Sequence, residues 1–412
     1  MTSSILVLGA GMVGTCTALH LQQRGFEVAL VDRRAPGQET SSGNAGLIQR
    51  EAVEPYAFPR EPGFLLNVAL GRAAEVHWHA KGLWQMAVPL WRYFQHSSPS
   101  SHAKATDAYS RLIAHASDEH ALLVADAGAQ DLVKREGFRV VFRTPAAMDK
   151  AVQRAQALQE RFGVRFQAQN TQALAQAEPA LRLPLAGAIH WLQPWAVNDP
   201  GALVQRYAQL FVARGGRVVR GDATSLQAQG LGWAVQTAEG CLQAEQAVLA
   251  LGPWADAAIR ALGYRFPLFL KRGYHQHYRA PALLRQPMLD AERGYVLAPM
   301  RQGLRLTTGA EFAPIDAPPT PVQLTQVEQM ARELVSLGEA LPGAPWLGAR
   351  PCTADMLPVM GPAPAHPGLW FNFGHSHQGF TLGPVAGRLL AEMVAGEKTF
   401  VDPQAYLPTR FS

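Results

Sequence analysis

Three cysteines in 412 residues, Cys16, Cys241 and Cys352, stand far apart with no Cys-x-x-Cys pair. That excludes a disulfide framework and a cysteine zinc site, and makes a reducing compartment the default. Charged residues are scarce at 17%, so neither an acidic nor a basic tail is present, and no basic run interleaved with aromatics marks a nucleic-acid partner. Apolar runs long enough to span a bilayer are also missing. The start "ILVLGAGMVGT" lacks the basic region and small-residue cleavage site of a leader, and reads as a folded strand. Close histidine pairs at 77/79, 275/277 and 375/377 come with no neighbouring cysteine and no HExxH glutamate, so no metal is expected. The absence of a G-x-S-x-G elbow leaves a serine hydrolase unsupported.

What remains is a chain of 48% hydrophobic residues with net charge +5 and pI about 9.2, long enough for two or three domains and a large cofactor. The excess positive charge suits anionic substrates or an anionic lipid surface. One segment, Leu65 to Gln95, is rich in aromatics and reads either as helices on the protein's own core or as a membrane-surface contact.

The first chemistry sits at the N-terminus. Ile5 to Leu8 form a short buried-strand pattern, followed by Gly9-Ala10-Gly11-Met12-Val13-Gly14 and a helical stretch. Gly9 permits the tight turn, Gly11 the close approach of a pyrophosphate, and Gly14 the packing of helix on strand, while the amides of the helix start face the phosphates. A second strand, "EVALVD", ends in Asp32, the spacing of a ribose-binding carboxylate. This unit accepts the adenosine diphosphate of either NAD or FAD. The following stretch, "RRAPGQETSSGNAGLIQ", is a polar loop where a crossover helix would otherwise come. Its hydrogen-bonding residues suit a long multi-ringed ligand and favour FAD.

The glycine turn with Asp32, "TSSGNAG" at Thr40 to Gly46, "AVLALGPWA" at Ala247 to Ala255, "GARPCTADMLPVMG" at Gly348 to Gly361 and "GHSHQGFTLGPVAGRLLAEMVAG" from Gly374 together resemble the D-amino-acid oxidase superfamily. The nearest resemblance is to bacterial D-amino-acid dehydrogenases, and the motifs span nearly the full length in order. The resemblance implies an α/β fold: a discontinuous Rossmann-type FAD domain (1–57, 185–262 and 346–412) and an α+β substrate domain with a mixed sheet (58–184 and 263–345). It implies oxidative deamination of D-amino acids or cyclic secondary amino acids such as D-proline, with electrons passed to a quinone-type acceptor. An oxygen-using oxidase, an NAD enzyme and a non-catalytic flavin subunit remain as alternatives. The expected location is cytoplasmic, or peripheral on the inner membrane.

The flavin is expected to touch Gly9, Gly11, Met12, Val13, Gly14, Asp32, Arg33, Ser42, Asn44, Ala45, Gly46, Leu47, Gly252, Trp254, Gly374, His375, His377, Gln378, Gly379 and Thr381. By position in the family, Arg350 would clamp the substrate carboxylate and Tyr295 would share the task by hydroxyl hydrogen bond; a guanidinium suits that job better than an ammonium. Tyr274 and His377 complete the expected catalytic group, with His275 and His277 also facing the substrate side. Cys352 falls near the cysteine that carries flavin covalently in the related sarcosine oxidases, yet the nearest relatives bind it non-covalently, which is the expectation here. Pro384 is expected in the first turn of the last helix, whose positive end would face the flavin.

Overall fold

The computed structural model describes residues 3–71, 75–282 and 284–411. Two sheets organise them, and a large cavity is lined by residues of both. The first begins with β1 (Ser4–Leu8), then α1 (Met12–Gln23) and β2 (Glu27–Asp32). β1 pairs in parallel with β2 and with Gln246–Leu249, which continues in parallel to Leu369–Phe373. Arg217–Gln229 pairs in parallel with β2 and turns into an antiparallel meander through Gly232–Thr237 and Gly240–Ala244. Antiparallel Val359–Pro362 closes the other edge of this eight-stranded sheet. Continuous apolar runs suit strands covered on both faces. Ile5, Leu6, Val7 and Leu8 are all at most 1% exposed, and each contributes about 1.5–3 kcal/mol by burial.

Across one face, α1 packs against the helix Gly379–Val394. Gly383 and Gly387 of that helix allow the approach, because a Cβ at either would meet Met12 at 2.5 Å or Cys16 at 2.7 Å. The helix starts at Gly379, so Pro384 lies inside it and not in its first turn. Proline has no N–H for the Phe380 carbonyl one turn back. His120 supplies the missing bond, its Nε2 lying 3.0 Å from that oxygen.

The second, ten-stranded sheet is mixed and contains Phe138–Phe142, Gly187–Trp191, Leu268–Tyr278, Tyr295–Met300, Gly303–Thr307 and Trp346–Thr353. Here the topology departs from the expected boundaries. Gly187–Trp191 pairs with Phe138–Phe142, and Trp346–Thr353 pairs residue for residue with Leu268–Tyr278, so both strands belong to the second sheet although their segments were expected in the FAD domain. The helix starting at Val322 ends at Leu334, well before Pro342. Val335 is extended there and bridges Leu181. Among the described residues no helix is long and apolar enough to cross a membrane.

Candidate active site

The glycine turn is built as its spacing requires. Gly9 has φ +107°, and a Cβ on it would stand 2.4 Å from the Ala250 carbonyl oxygen; a Cβ on Gly14 would stand 1.7 Å from the Gly9 oxygen. No side chain fits either place. Asp32 accepts hydrogen bonds from the Ala10 amide at 2.7 Å and the Arg34 amide at 3.0 Å, which anchors it at the end of β2. Gly9, Gly11, Met12, Val13, Asp32, Arg33 and Trp254 line the head of a cavity of about 1160 Å³, with Arg33 lying over the Trp254 ring at 4.2 Å. Pockets for one small ligand run to about 1,000 Å³. This one has room for a dinucleotide and a substrate together.

From that head the cavity continues past Asn44, Ala45, Leu47, Gly252, Gly374, His375, His377 and Gly379. Six of the residues expected in the flavin and catalytic groups do not line it. Ser42 turns its hydroxyl to the Glu39 carbonyl at 2.9 Å, closing its own 3-10 turn; Ser41 lines the cavity instead, with its Oγ 3.0 Å from the Met12 amide. Gly46 holds a positive-φ turn fastened by Asn44 Oδ1 at 2.8 Å. Gly14 serves helix packing alone. Gln378 and Thr381 brace Gln49: Gln378 Nε2 donates to its side-chain oxygen at 2.8 Å, and its amide donates to Thr381 Oγ1 at 3.2 Å.

Tyr295 is the sixth, and strand alternation is the reason. Its neighbours Gly294 and Val296 border the cavity, so its ring points to the opposite face, among the residues packed against the helix Val322–Leu334. Tyr274 is corrected for the same cause. It borders the cavity, but its hydroxyl lies 3.1 Å from Glu311 and accepts from the Thr320 amide at 2.7 Å. Nor do His275 and His277 reach the substrate side. His275 stacks on Trp346 at 4.8 Å, and His277 accepts from Arg305, whose guanidinium holds the Ser42 and Asn44 carbonyls of the cofactor loop. Burial and Arg305 depress both imidazoles, to about 2 for His275 and about 4 for His277.

Arg350 does reach the cavity. Its strand register places it opposite Lys271, and its guanidinium lies over Gly273, where a Cβ would meet Nη1 at 2.7 Å. Nη1 donates to the Gly309 carbonyl at 3.2 Å and the Arg272 carbonyl at 3.4 Å. Among the described residues it has no ion pair, because Asp355 is taken by Arg410 at 2.6 Å. Burial lowers its pKa. A half-buried cation without a carboxylate, on the wall of a cavity, suits an anionic ligand.

Beside it stands Tyr56, which sequence reasoning missed. Its ring is 54% exposed, and it faces the cavity, 4.7 Å from the His377 ring. Its phenol feels both Glu51 and Arg350. Nothing in "EAVEPYAFP" marks this tyrosine; only the fold brings it to the arginine. His377 and His375 are held neutral, the first by burial together with Arg350 and Lys271, the second pushed down to about 3 by burial alone. His377 Nδ1 and His375 Nε2 are buried without a protein partner.

Farther in, the cavity becomes apolar. Phe138, Val140 and Phe142 from one strand, Ile189 and Trp191 from its neighbour, and Ala151 and Leu158 from the helix Pro145–Phe162 form a chamber. Cys352 lies outside the main cavity, on a space of about 10 Å³ shared with Lys271, Tyr93, Ser376 and His377. Burial raises its thiol pKa, which disfavours the thiolate that covalent attachment needs. Elsewhere, His77, His79 and Glu311 bring ligand atoms within 4.8 Å of one another, but Glu311 is already bound by Arg272 at 2.6 Å and by Thr320.

The family model described as FAD dependent oxidoreductase matches residues 4–393. The chain belongs to this FAD-dependent family. The cavity fits that cofactor: Gly9 and Gly14 leave a cradle that no other residue type would leave open, the start of α1 would face the cofactor's phosphates, and His375 and His377 have orphaned polar atoms at the far end. A D-amino acid dehydrogenase of Paramagnetospirillum magneticum is 30% identical, covering 99% of each chain. A D-amino-acid oxidase of Bradyrhizobium diazoefficiens is 29% identical over 99% of this chain and 98% of its own. In fold, glycine oxidase from Geobacillus kaustophilus superposes with TM-score 0.76 at 21% identity, covering 99% of each chain.

Proposed function

We propose that this flavoprotein oxidatively deaminates D-amino acids and passes the electrons to a quinone-type acceptor. The observation that carries the reading is Arg350: a half-buried guanidinium, free of any acidic partner among the described residues, on the wall of the cavity that also holds the nucleotide cradle. It binds the substrate carboxylate, with the Tyr56 hydroxyl beside it in the place foreseen for Tyr295. The side chain enters the chamber of Phe138, Val140, Phe142 and Trp191, which is larger than glycine or a small ring requires. FAD, when bound, accepts the hydride leaving the substrate Cα. The chain's own residues orient that carbon, exclude water and keep the neighbouring imidazoles neutral. Preference for the D-configuration is supported by the names of the relatives.

Support for a membrane-borne acceptor comes from the surface. Leu66, Trp84, Val88 and Trp91 are each at least 60% exposed on the helices Pro62–Ala69, Ala80–Gln85 and Ala87–His96, and Leu70, just past the end of the first, is 53% exposed. Trp84, Val88 and Trp91 follow helical spacing, and exposed Lys81 and Arg92 lie among them. Two tryptophans beside cations suit the interface of an anionic bilayer. The test pairs oxygen with a soluble quinone analogue as acceptors while 2-oxo acid and ammonia are measured. The quinone should support turnover far above oxygen, and equal rates with oxygen alone would reject the dehydrogenase reading.

A further inference from the structure

Resting on that reading, we propose that Glu51 binds the substrate's α-amino group and takes its proton before hydride leaves. An ammonium has no lone pair with which to form a C=N bond, so a base must act first. Glu51 is 8% exposed and lines the same cavity as Arg350 and Tyr56. Its two carboxyl oxygens differ. Oε1 accepts from Gln49 Nε2 at 2.7 Å, whereas Oε2 is buried without a partner. The Gln49 amide cannot reverse freely, because its oxygen accepts from Gln378 Nε2 at 2.8 Å. A Gln378 to Gln49 to Glu51 chain therefore fixes one oxygen and leaves the other for a ligand.

Of the other carboxylates on the wall, Asp32 is engaged by the Ala10 amide, Glu39 by Arg33, Glu54 by Arg154 and Asp222 by Thr224, while Glu75 is less buried than Glu51. The histidines nearby are weakened as bases by burial, while burial strengthens the Glu51 carboxylate as a base by pushing its pKa up to about 7. The charged and titratable groups around it are Arg50 of its own segment, which also feels Asp118, and Tyr56, which feels Arg350 and Arg154. In the step, one ammonium N–H bond breaks and an O–H bond forms on Oε2. The freed lone pair becomes the C=N bond as the Cα–H pair departs to the flavin, and the resulting iminium takes water to give 2-oxo acid and ammonia. Glu51 then returns its proton to solvent.

The test uses FAD-loaded enzyme without oxygen, with D-phenylalanine as substrate and benzoate as a ligand that has the carboxylate but no amine. Glu51→Gln should slow flavin reduction at low D-phenylalanine by at least about 100-fold and flatten the fall in that rate below about pH 7. Benzoate affinity, read from the shift of flavin absorption, should stay within about threefold, and Glu51→Asp should recover part of the rate. Reduction of Glu51→Gln at the wild-type rate with an unchanged pH profile would overturn the proposal alone. Wild-type enzyme that binds benzoate but is reduced by no amino acid would overturn it together with the proposed function.

Discussion

Replacing Arg350 with methionine should make the ligand-free protein more stable and the enzyme almost useless. The guanidinium has only two main-chain carbonyls as partners, at 3.2 and 3.4 Å, and no carboxylate. Hydrogen bonds from a charged donor are worth about 1.5–3 kcal/mol each, and these two, being long, fall at or below the lower end. Against them stands the cost of holding a half-buried cation with no ionic partner, several kcal/mol even after relaxation. Methionine fills similar volume and is flexible enough to follow the cavity wall. The net expectation is a gain of about 1–2 kcal/mol, seen as a higher urea midpoint with unchanged slope. Substrate loses a charge-assisted contact of about 2–5 kcal/mol, which raises KM by about 30-fold to several thousand-fold. Arg350→Lys should recover only part, since an ammonium cannot meet a carboxylate through two parallel bonds. A variant that is destabilised by more than about 2 kcal/mol, with KM unchanged, would refute the reasoning, because Arg350 would then be a structural residue.

Other expectations follow from single contacts. Gly14→Ala places a methyl 1.7 Å from the Gly9 oxygen, so the purified protein should carry little flavin, and a full yellow complement would contradict the cradle. His120 is wholly buried, and burial pushes its pKa down to about 4. Its contribution to stability is therefore complete above its ordinary 6.5 and is lost as pH falls toward 4, on the order of 3 kcal/mol at 1.36 kcal/mol per pH unit. His120→Gln should flatten that part of the pH–stability curve, whereas an unchanged curve would mean that other buried histidines such as His20 and His375 set it. Ala151→Trp should fill the apolar chamber, raising KM for D-phenylalanine more than for D-alanine; an equal effect on both would place the side-chain site elsewhere. Trp84→Ser with Trp91→Ser should weaken flotation with anionic vesicles and leave activity on soluble acceptors intact.

The nucleotide half of the site was legible because its physics is local. Gly9, Gly11 and Asp32 announce themselves through spacing that a turn and a pyrophosphate impose, and the buried strand "ILVL" needs no distant partner to be recognised. The substrate half was not. Tyr295 and Tyr274 sit on strands whose alternation decides which residues face the cavity, and a sequence alone does not say which face is inward. Val296 lines the cavity in place of Tyr295, and Tyr274 borders it while turning its hydroxyl to Glu311. Tyr56 and Glu51 lie in an irregular segment with no periodicity, so only the folded chain brings them beside Arg350. The start of the segment 346–412, expected in the FAD domain, pairs with Leu268–Tyr278 in the second sheet, a partner remote in sequence that local pattern does not reveal. Pro384 misplaced the start of the last helix for a related reason: proline usually marks a first turn, but His120 satisfies the carbonyl it strands.

The central claim meets its most direct test in anaerobic titration of the FAD-loaded protein with paired D- and L-amino acids. The visible flavin absorption should bleach with D-amino acids bearing apolar side chains, and far more slowly with their L-counterparts. Flavin that dithionite reduces but no amino acid bleaches would contradict it.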